Sequence, residues 1–348
     1  MSFEDNIRKV IPYTPGEQPQ RKVIKLNTNE CPYPPSEKAI KALREFDTDL
    51  FRKYPDPECS DLVKALADYY NLDEKQVFVG VGSDDVLSMC FLTFFAGKKP
   101  VLFPDITYSF YDVWADVYRI PYETIALDED FNIRAEDYKR DNGGIVIANP
   151  NAPTGVEEPL EKIEEIIKSS PDSIVIVDEA YVDFGVNTAL PLINKYKNLI
   201  VTRTMSKSRA LAGMRIGYAF ADERLIKYLN DVKFSVNSYT MNMPALTAGK
   251  AAILDDDYFR EIRDKVVNTR EWTKKELKRL GFSFRDSKTN FIFAKHEKAS
   301  AEKLFEELKA NDIYVRYFKK DRLSDYLRIS IGTDEEMKRL IEVLEGLL

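Results

Sequence analysis

Lys207 lies in the stretch SKSRALAGMRIGYAF (206–220), and Arg215 follows it at the next strand-like run. A lysine amine can bond covalently to a carbonyl or carry a proton. An arginine can grip an oxyanion with two parallel N–H donors. Upstream, Asp178-Glu179-Ala180-Tyr181 follows the apolar run SIVIV. A carboxylate at the end of such a run is costly unless it meets a cation. Asn149-Pro150-Asn151-Ala152-Pro153-Thr154-Gly155 follows GIVIA, and Val81-Gly82-Ser83-Asp84 follows QVFVG. A Gly-Ser step opening a helix offers free backbone N–H groups and a positive dipole end, a seat for phosphate. Each piece has an ordinary alternative. Ser83 could be a plain N-cap, Asp178 a cap of the next helix, and Lys207 a solvated lysine. All of them in order, each at the end of an apolar run, are harder to explain that way.

Those runs alternate with helical stripes. CSDLVKALADYY (59–70), SDDVLSMCFLTFFA from Ser83 as N-cap, YSFYDVWADVY (108–118) and LEKIEEIIKSS read as helices. QVFVG (76–80), PVLF (100–103), GIVIANP (144–150), SIVIVDEAY (173–181), NLIVTRT (198–204) and MRIGYAFA (214–221) read as strands. Continuous apolar strands between helices predict a parallel or mixed sheet covered on both faces. In such α/β sheets ligands bind beyond the carboxyl ends of the strands. A carboxylate for a pyridinium nitrogen and a lysine able to form a Schiff base are what pyridoxal 5′-phosphate requires. After Asp222 the texture changes to one or two long helices over 240–280. Strand-like FSFRDSKTNFIFAKH, YVRYF and YLRISIG then mix with helices at 300–310 and 334–347. This predicts a second, smaller α+β unit, with the polar N-terminal arm packed against it.

Composition narrows the classes. The chain has 348 residues, 44% hydrophobic and 31% charged, with 51 Lys plus Arg against 58 Asp plus Glu. A net charge of −7 with interspersed signs gives no basic face for nucleic acid. The start, MSFEDNIRKV, does not read as a secretory signal. VLSMCFLTFFAG (86–97) is about half the length a bilayer requires, so it reads as a core helix. Cys31, Cys59 and Cys90 match no metal spacing and read as reduced thiols, which predicts a cytoplasmic protein. The single histidine, His296, reads as solvated, which excludes a histidine-based triad or metal site.

LNTNECPYPPS (26–36), RKYPDP (52–57), VGVGSDDVL (79–87), PDITYSFY (104–111), NPNAPTG (149–155), VDEAYVDF (177–184), TRTMSKSRALAGMRIGY (202–218) and YLRISIGT (326–333) span nearly the whole chain. On these stretches it resembles the fold type I pyridoxal-phosphate-dependent aminotransferases, and among them the histidinol-phosphate aminotransferase family of class II. The resemblance implies a large domain over 30–250, with a mostly parallel seven-stranded sheet between helices. It implies a small α+β domain from 1–29 with 251–348.

It further implies that Lys207 holds pyridoxal phosphate as a Schiff base and serves as base and acid. Asp178 would face the ring nitrogen, Tyr181 the phenolic oxygen and Tyr108 the ring face. Gly82, Ser83 and Asp84 would hold the phosphate with Thr204, Ser206 and Arg215. Arg328 would clamp a substrate carboxylate, Arg316 would lie near a substrate phosphate, and Asn29 would border the substrate. Tyr54 would reach the cofactor phosphate of a second subunit in a homodimer. One position departs from the family. Ala152 stands where an asparagine commonly bonds the phenolic oxygen, leaving Asn149 or Asn151 to replace it. The implied reaction moves an amino group between L-glutamate and imidazole-acetol phosphate, giving 2-oxoglutarate and L-histidinol phosphate. Aromatic amino-acid aminotransferases and a decarboxylase of phosphorylated threonine share the cofactor motifs and are the alternatives.

Overall fold

The computed structural model describes residues 2–348. The N-terminal arm leads into β1 (Ile24–Lys25), α1 (Glu37–Arg44) and α2 (Ser60–Tyr70). Then come β2 (Val77–Gly80), α3 (Gly82–Phe94), β3 (Val101–Pro104), α4 (Tyr111–Tyr118), β4 (Tyr122–Ile125), β5 (Gly144–Ala148) and α5 (Leu160–Ser169). They are followed by β6 (Val175–Asp178), β7 (Leu199–Thr204), β8 (Gly217–Ala221), α6 (Glu223–Val236), α7 (Met243–Ile253) and α8 (Asp256–Arg279). The chain ends with β9 (Phe282–Phe284), β10 (Phe291–His296), α9 (Ala301–Ala310), β11 (Ile313–Tyr314), β12 (Arg316–Tyr317), β13 (Leu327–Ser330) and α10 (Asp334–Leu347).

The large sheet has seven strands in the order β2-β8-β7-β6-β5-β3-β4. Only β8 runs against the others, between β2 and β7. The apolar runs explain its burial. Ile145, Ile147, Val175, Val177, Leu199 and Val201 face a core shared with α2, α5 and α7. Their neighbours Val146, Ile176 and Ile200 face the opposite core, under α3, α4 and α6. The period-2 alternation of a strand thus feeds two apolar layers, and helices cover both. The fold is α/β with a mostly parallel sheet, and β2, β3, β5, β6 and β7 all end on one edge.

A second, antiparallel sheet runs β12-β13-β10-β9. β1 pairs in parallel with β11, Ile24 beside Ile313 and Lys25 beside Tyr314, so the N-terminal arm joins the C-terminal unit. Leu26 enters the same core as Ile292, Leu308, Ile329 and Leu340.

Two expectations are corrected. Ser83 does not cap α3. The helix begins at Gly82 with Val81 in the cap position and no side-chain cap bond, which leaves Ser83 in the first turn. His296 is half-buried rather than solvated. Its Nε2 lies 3.0 Å from the Leu280 carbonyl, and its Nδ1 accepts from the Ala299 N–H at 2.8 Å. It closes a loop of the second unit. No helix among the described residues is long and apolar enough to cross a membrane.

Candidate active site

The strand ends converge on a chamber of about 360 Å³ lined by Lys207, Asp178, Tyr181, Tyr108, Ser83, Asp84, Ser206 and Arg215. A second chamber of about 130 Å³ adjoins it, lined by Arg316, Arg328, Asn29 and Tyr13. Lys207, Tyr108, Tyr181, Thr28 and Ala152 border both.

Asp178 is the last residue of β6 and is buried. Its Oδ2 accepts from the Tyr111 hydroxyl at 2.9 Å. Its Oδ1 accepts from the Ala180 N–H at 3.2 Å and the Thr202 hydroxyl at 3.3 Å. Burial nonetheless pushes its carboxyl from 3.8 to about 6, because no cation among the described residues pairs with it. Lys207 follows β7, and its Nζ donates to the Thr28 carbonyl at 3.2 Å, above the ring of Tyr181. The Tyr181 hydroxyl accepts from Asn29 Nδ2 at 2.9 Å. Ser330 fixes Asn29 in turn, with its Oγ bonded to Asn29 Oδ1 and N–H, each at 2.9 Å.

The helix start forms a cradle. Gly82 has φ +83°, and a Cβ there would lie 2.6 Å from Arg215 Nη2. Gly217 is equally tight, since a Cβ would lie 2.3 Å from the Ser83 nitrogen. Arg215 Nη2 donates to Asp84 Oδ2 at 2.9 Å, and the Tyr108 hydroxyl donates to Asp84 Oδ1 at 2.7 Å. Burial, and then the Asp84 charge, raise the Tyr108 phenol well above its ordinary value. Thr204 is set back from the chamber and accepts from the Ser206 N–H at 3.0 Å, aligning Ser206.

In the smaller chamber, Arg328 Nη2 donates to the Asn27 carbonyl at 2.9 Å, while its buried Nε has no partner. Burial draws the Arg328 guanidinium below its ordinary value, and Arg316 adds to that effect. Arg316 donates to the carbonyls of Thr14 at 3.0 Å and Pro15 at 3.2 Å. Neither arginine pairs with a carboxylate among the described residues. Two such guanidiniums side by side form a seat for anions.

Not every candidate reaches the chambers. Asn149 spends its amide on the Glu158 backbone, donating at 3.0 Å and accepting at 2.9 Å. Asn151 bonds the Ile106 carbonyl at 2.9 Å and the Thr107 hydroxyl at 2.8 Å. Both brace the loop, while Ala152 between them borders both chambers. Tyr54 is 79% exposed and stacked on Tyr239, with ring centroids 4.6 Å apart. Residue patterns missed Thr28, Glu30, Tyr13 and Tyr111. Glu30 faces the larger chamber, where burial opposes its ionisation but bonds from Lys25 and Thr28 hold its carboxyl below the ordinary value. The only sequence signal for Thr28 and Glu30 was their place in LNTNE. Nothing marked Tyr111 as the donor to Asp178.

The donor set fits pyridoxal phosphate. The Ser83 and Asp84 N–H groups lie in the first helical turn without intrahelical acceptors. Ser206 and Arg215 flank them, and Gly82 leaves the room a phosphate needs. At the other end, the carboxylate of Asp178, without a cation partner among the described residues, would suit a cationic ring nitrogen, and Lys207 lines the same chamber.

Comparison with known proteins agrees with this geometry. The family model described as aminotransferase class I and II matches residues 21–344. The chain is 49% identical over 347 residues to a histidinol-phosphate aminotransferase of Clostridium beijerinckii, covering 99% of this chain and 97% of that one. It is 52% identical over 349 residues to one from a Marinomonas species, covering 99% of each. Among solved structures, histidinol-phosphate aminotransferase from Sinorhizobium meliloti in complex with pyridoxal-5′-phosphate superposes with a TM-score of 0.88. That match has 26% identity and covers 97% of this chain and 96% of the other. With its lysine, carboxylate and phosphate cradle at the sheet edge, and with a family match over nearly its whole length, the chain belongs to the class I and II aminotransferases.

Proposed function

We propose that the chain is a histidinol-phosphate aminotransferase that uses pyridoxal 5′-phosphate. It moves an amino group reversibly between L-glutamate and imidazole-acetol phosphate, yielding 2-oxoglutarate and L-histidinol phosphate in histidine biosynthesis. The observation that carries this reading is the pair Arg328 and Arg316, bonded only to backbone carbonyls and unpaired with any described carboxylate, in a chamber that opens on Lys207. One donor presents a carboxylate and the other a phosphate, and two adjacent guanidiniums can serve both. The resemblance of the whole chain to histidinol-phosphate aminotransferases supports the same conclusion.

Bound pyridoxal phosphate supplies an electron sink that makes the Cα–H of an attached amine acidic. The chain's residues do the rest. Gly82, Ser83, Asp84, Ser206 and Arg215 would hold the phosphate, with Thr204 aligning Ser206. Asp178 would hold a proton at the ring nitrogen, and Tyr181, steadied by Asn29, would present its hydroxyl to the phenolic oxygen. With Asn149 and Asn151 committed to the loop, Tyr181 would carry that contact without either of them. Tyr108, on the chamber wall, would cover the ring face. Lys207 Nζ takes the proton from the donor's Cα, and delivers one to the keto acid's Cα in the return half-reaction. The Thr28 carbonyl holds that amine inside the chamber between transfers.

Residues 30–250 form the cofactor domain in this proposal, and residues 1–29 with 251–348 form the smaller one. The working unit is a homodimer, with Tyr54 reaching the cofactor phosphate of the second subunit. The free thiols of Cys31, Cys59 and Cys90 suit the reducing cytoplasm.

The test is a single half-reaction. Cofactor-loaded protein is mixed with L-histidinol phosphate without keto acid, and the cofactor's visible absorption is followed. Bleaching at far lower concentrations than phenylalanine or tyrosine require is the expected result. Equal or better bleaching by the aromatic donors would reassign the substrate, and the role of Arg316 would fall with it.

A further inference from the structure

The chamber walls turn two consecutive pairs of residues in opposite directions. Asp178 faces the chamber, and its neighbour Glu179 points away into the fold. Lys207 faces the chamber, and its neighbour Ser208 points away to Asp183. The outward members meet in one charged cluster, buried at Glu179 and Arg203 and partly exposed at Asp183. Arg203 Nη2 lies 2.8 Å from Glu179 Oε2, and both side chains are almost wholly buried, at 6% and 1% exposure. Arg203 Nη2 also donates to the Thr188 hydroxyl at 2.7 Å. Glu179 accepts in addition from the Ala189 N–H at 2.6 Å. Arg203 Nη1 lies 3.9 Å from Asp183 Oδ1, and the Ser208 hydroxyl donates to Asp183 Oδ2. The guanidinium also stacks on Tyr70, 4.9 Å from the ring centre.

A buried ion pair is a poor source of net stability, because desolvation offsets most of the attraction. Its geometry, however, is specific. From Ser208 through Asp183 and Arg203 to Glu179, this cluster is a continuous polar link between the residue after Lys207 and the residue after Asp178. We propose that Ser208 and Asp183, anchored by Arg203 and Glu179, are positioning residues that hold Lys207 in register with Asp178 across the chamber. Ser208 is the member whose loss leaves the rest of the cluster paired. The proposal rests on the cofactor reading of Lys207 and Asp178 given above. A displacement of an ångström at a reacting group can cost two orders of magnitude in rate, so a small swing of Lys207 is enough to matter.

The experiment compares wild type, Ser208→Ala and Ser208→Thr. The first readout is the rate at which added pyridoxal phosphate, with borohydride, is trapped on Lys207, read by peptide mass. The second is the division between kcat and KM in the complete reaction, and the third is the melting temperature. Ser208→Ala is expected to slow trapping and lower kcat about tenfold, with KM within twofold and melting nearly unchanged; Ser208→Thr restores both rates. Asp183→Ala is expected to lower the same rates, and the double variant to add little, since both break one link. Unchanged trapping and kcat in Ser208→Ala would overturn the proposal. So would a loss that tracks melting and is not rescued by threonine. If wild type itself traps no pyridoxal phosphate on Lys207, the cofactor reading has failed instead.

Discussion

Asp178 shows how a single residue is held in an unfavourable state. Burial raises its carboxyl from 3.8 to about 6, so the folded protein binds a proton there more tightly than the unfolded chain does. The stability from this group is therefore present below about pH 4 and is lost as pH rises through about 6. The shift is worth up to about 3 kcal/mol. A cationic ring nitrogen would remove that penalty. Asp178→Asn, free of cofactor, is accordingly expected to melt above wild type at pH 8, with the difference shrinking toward pH 4. Added pyridoxal phosphate should then raise the melting point of wild type more than that of the variant. A difference that stays constant with pH would mean that ionisation of Asp178 is not the destabilising event. At this scale the sequence was legible where a charge closed an apolar run, as at Asp178 and Lys207. It was not legible at Asn149 and Asn151. Their amides point to the Glu158 backbone and to Ile106 and Thr107, contacts that only the folded loop creates.

Elements carry the cradle. The start of α3 depends on Gly82 at φ +83° and on the close passage of β8 at Gly217. Gly82→Ala forces a side chain into the left-handed region, at roughly 1–2 kcal/mol, and pushes the Arg215 guanidinium aside. The variant is expected to fold, to melt a few degrees lower, and to bind pyridoxal phosphate at least tenfold more weakly in a fluorescence titration. Unchanged affinity would remove Arg215 and the helix start from the phosphate site. The central strands were readable because burial on both faces leaves an unbroken apolar run, as in GIVIA. The edge strand β4 was not, because three of its four residues, YETI, are exposed and carry no such run. The helix boundary at Ser83 was misread for a different reason. A serine before an apolar run signals a cap, but glycine at positive φ lets the helix begin two residues earlier, at Gly82 rather than Asp84.

The molecule as a whole assembles its two chambers from distant parts of the chain, with Thr28 and Asn29 beside Tyr181, Lys207 and Arg328. No local pattern encodes such pairings, since each depends on β1 joining β11 and on the second sheet meeting the first. In the proposed homodimer, Tyr54 would extend the same logic beyond one chain. It lies on a loop, exposed and stacked only on Tyr239, and lines neither chamber of its own subunit. An aromatic hydroxyl so placed is free to meet a site that a second copy brings to it. This makes a complementation experiment decisive. Tyr54→Ala keeps Lys207 and lacks the tyrosine, while Lys207→Ala keeps the tyrosine and lacks the lysine. Each alone is expected to be weakly active or inactive. Unfolded and refolded together, they form hybrids in which one site has its own Lys207 and the intact Tyr54 of its partner. Random pairing makes about half the dimers hybrid, each with one complete site, so about a quarter of wild-type activity should return. If Tyr54 instead served its own subunit, both sites of the hybrid would lack one group, and mixing would restore nothing.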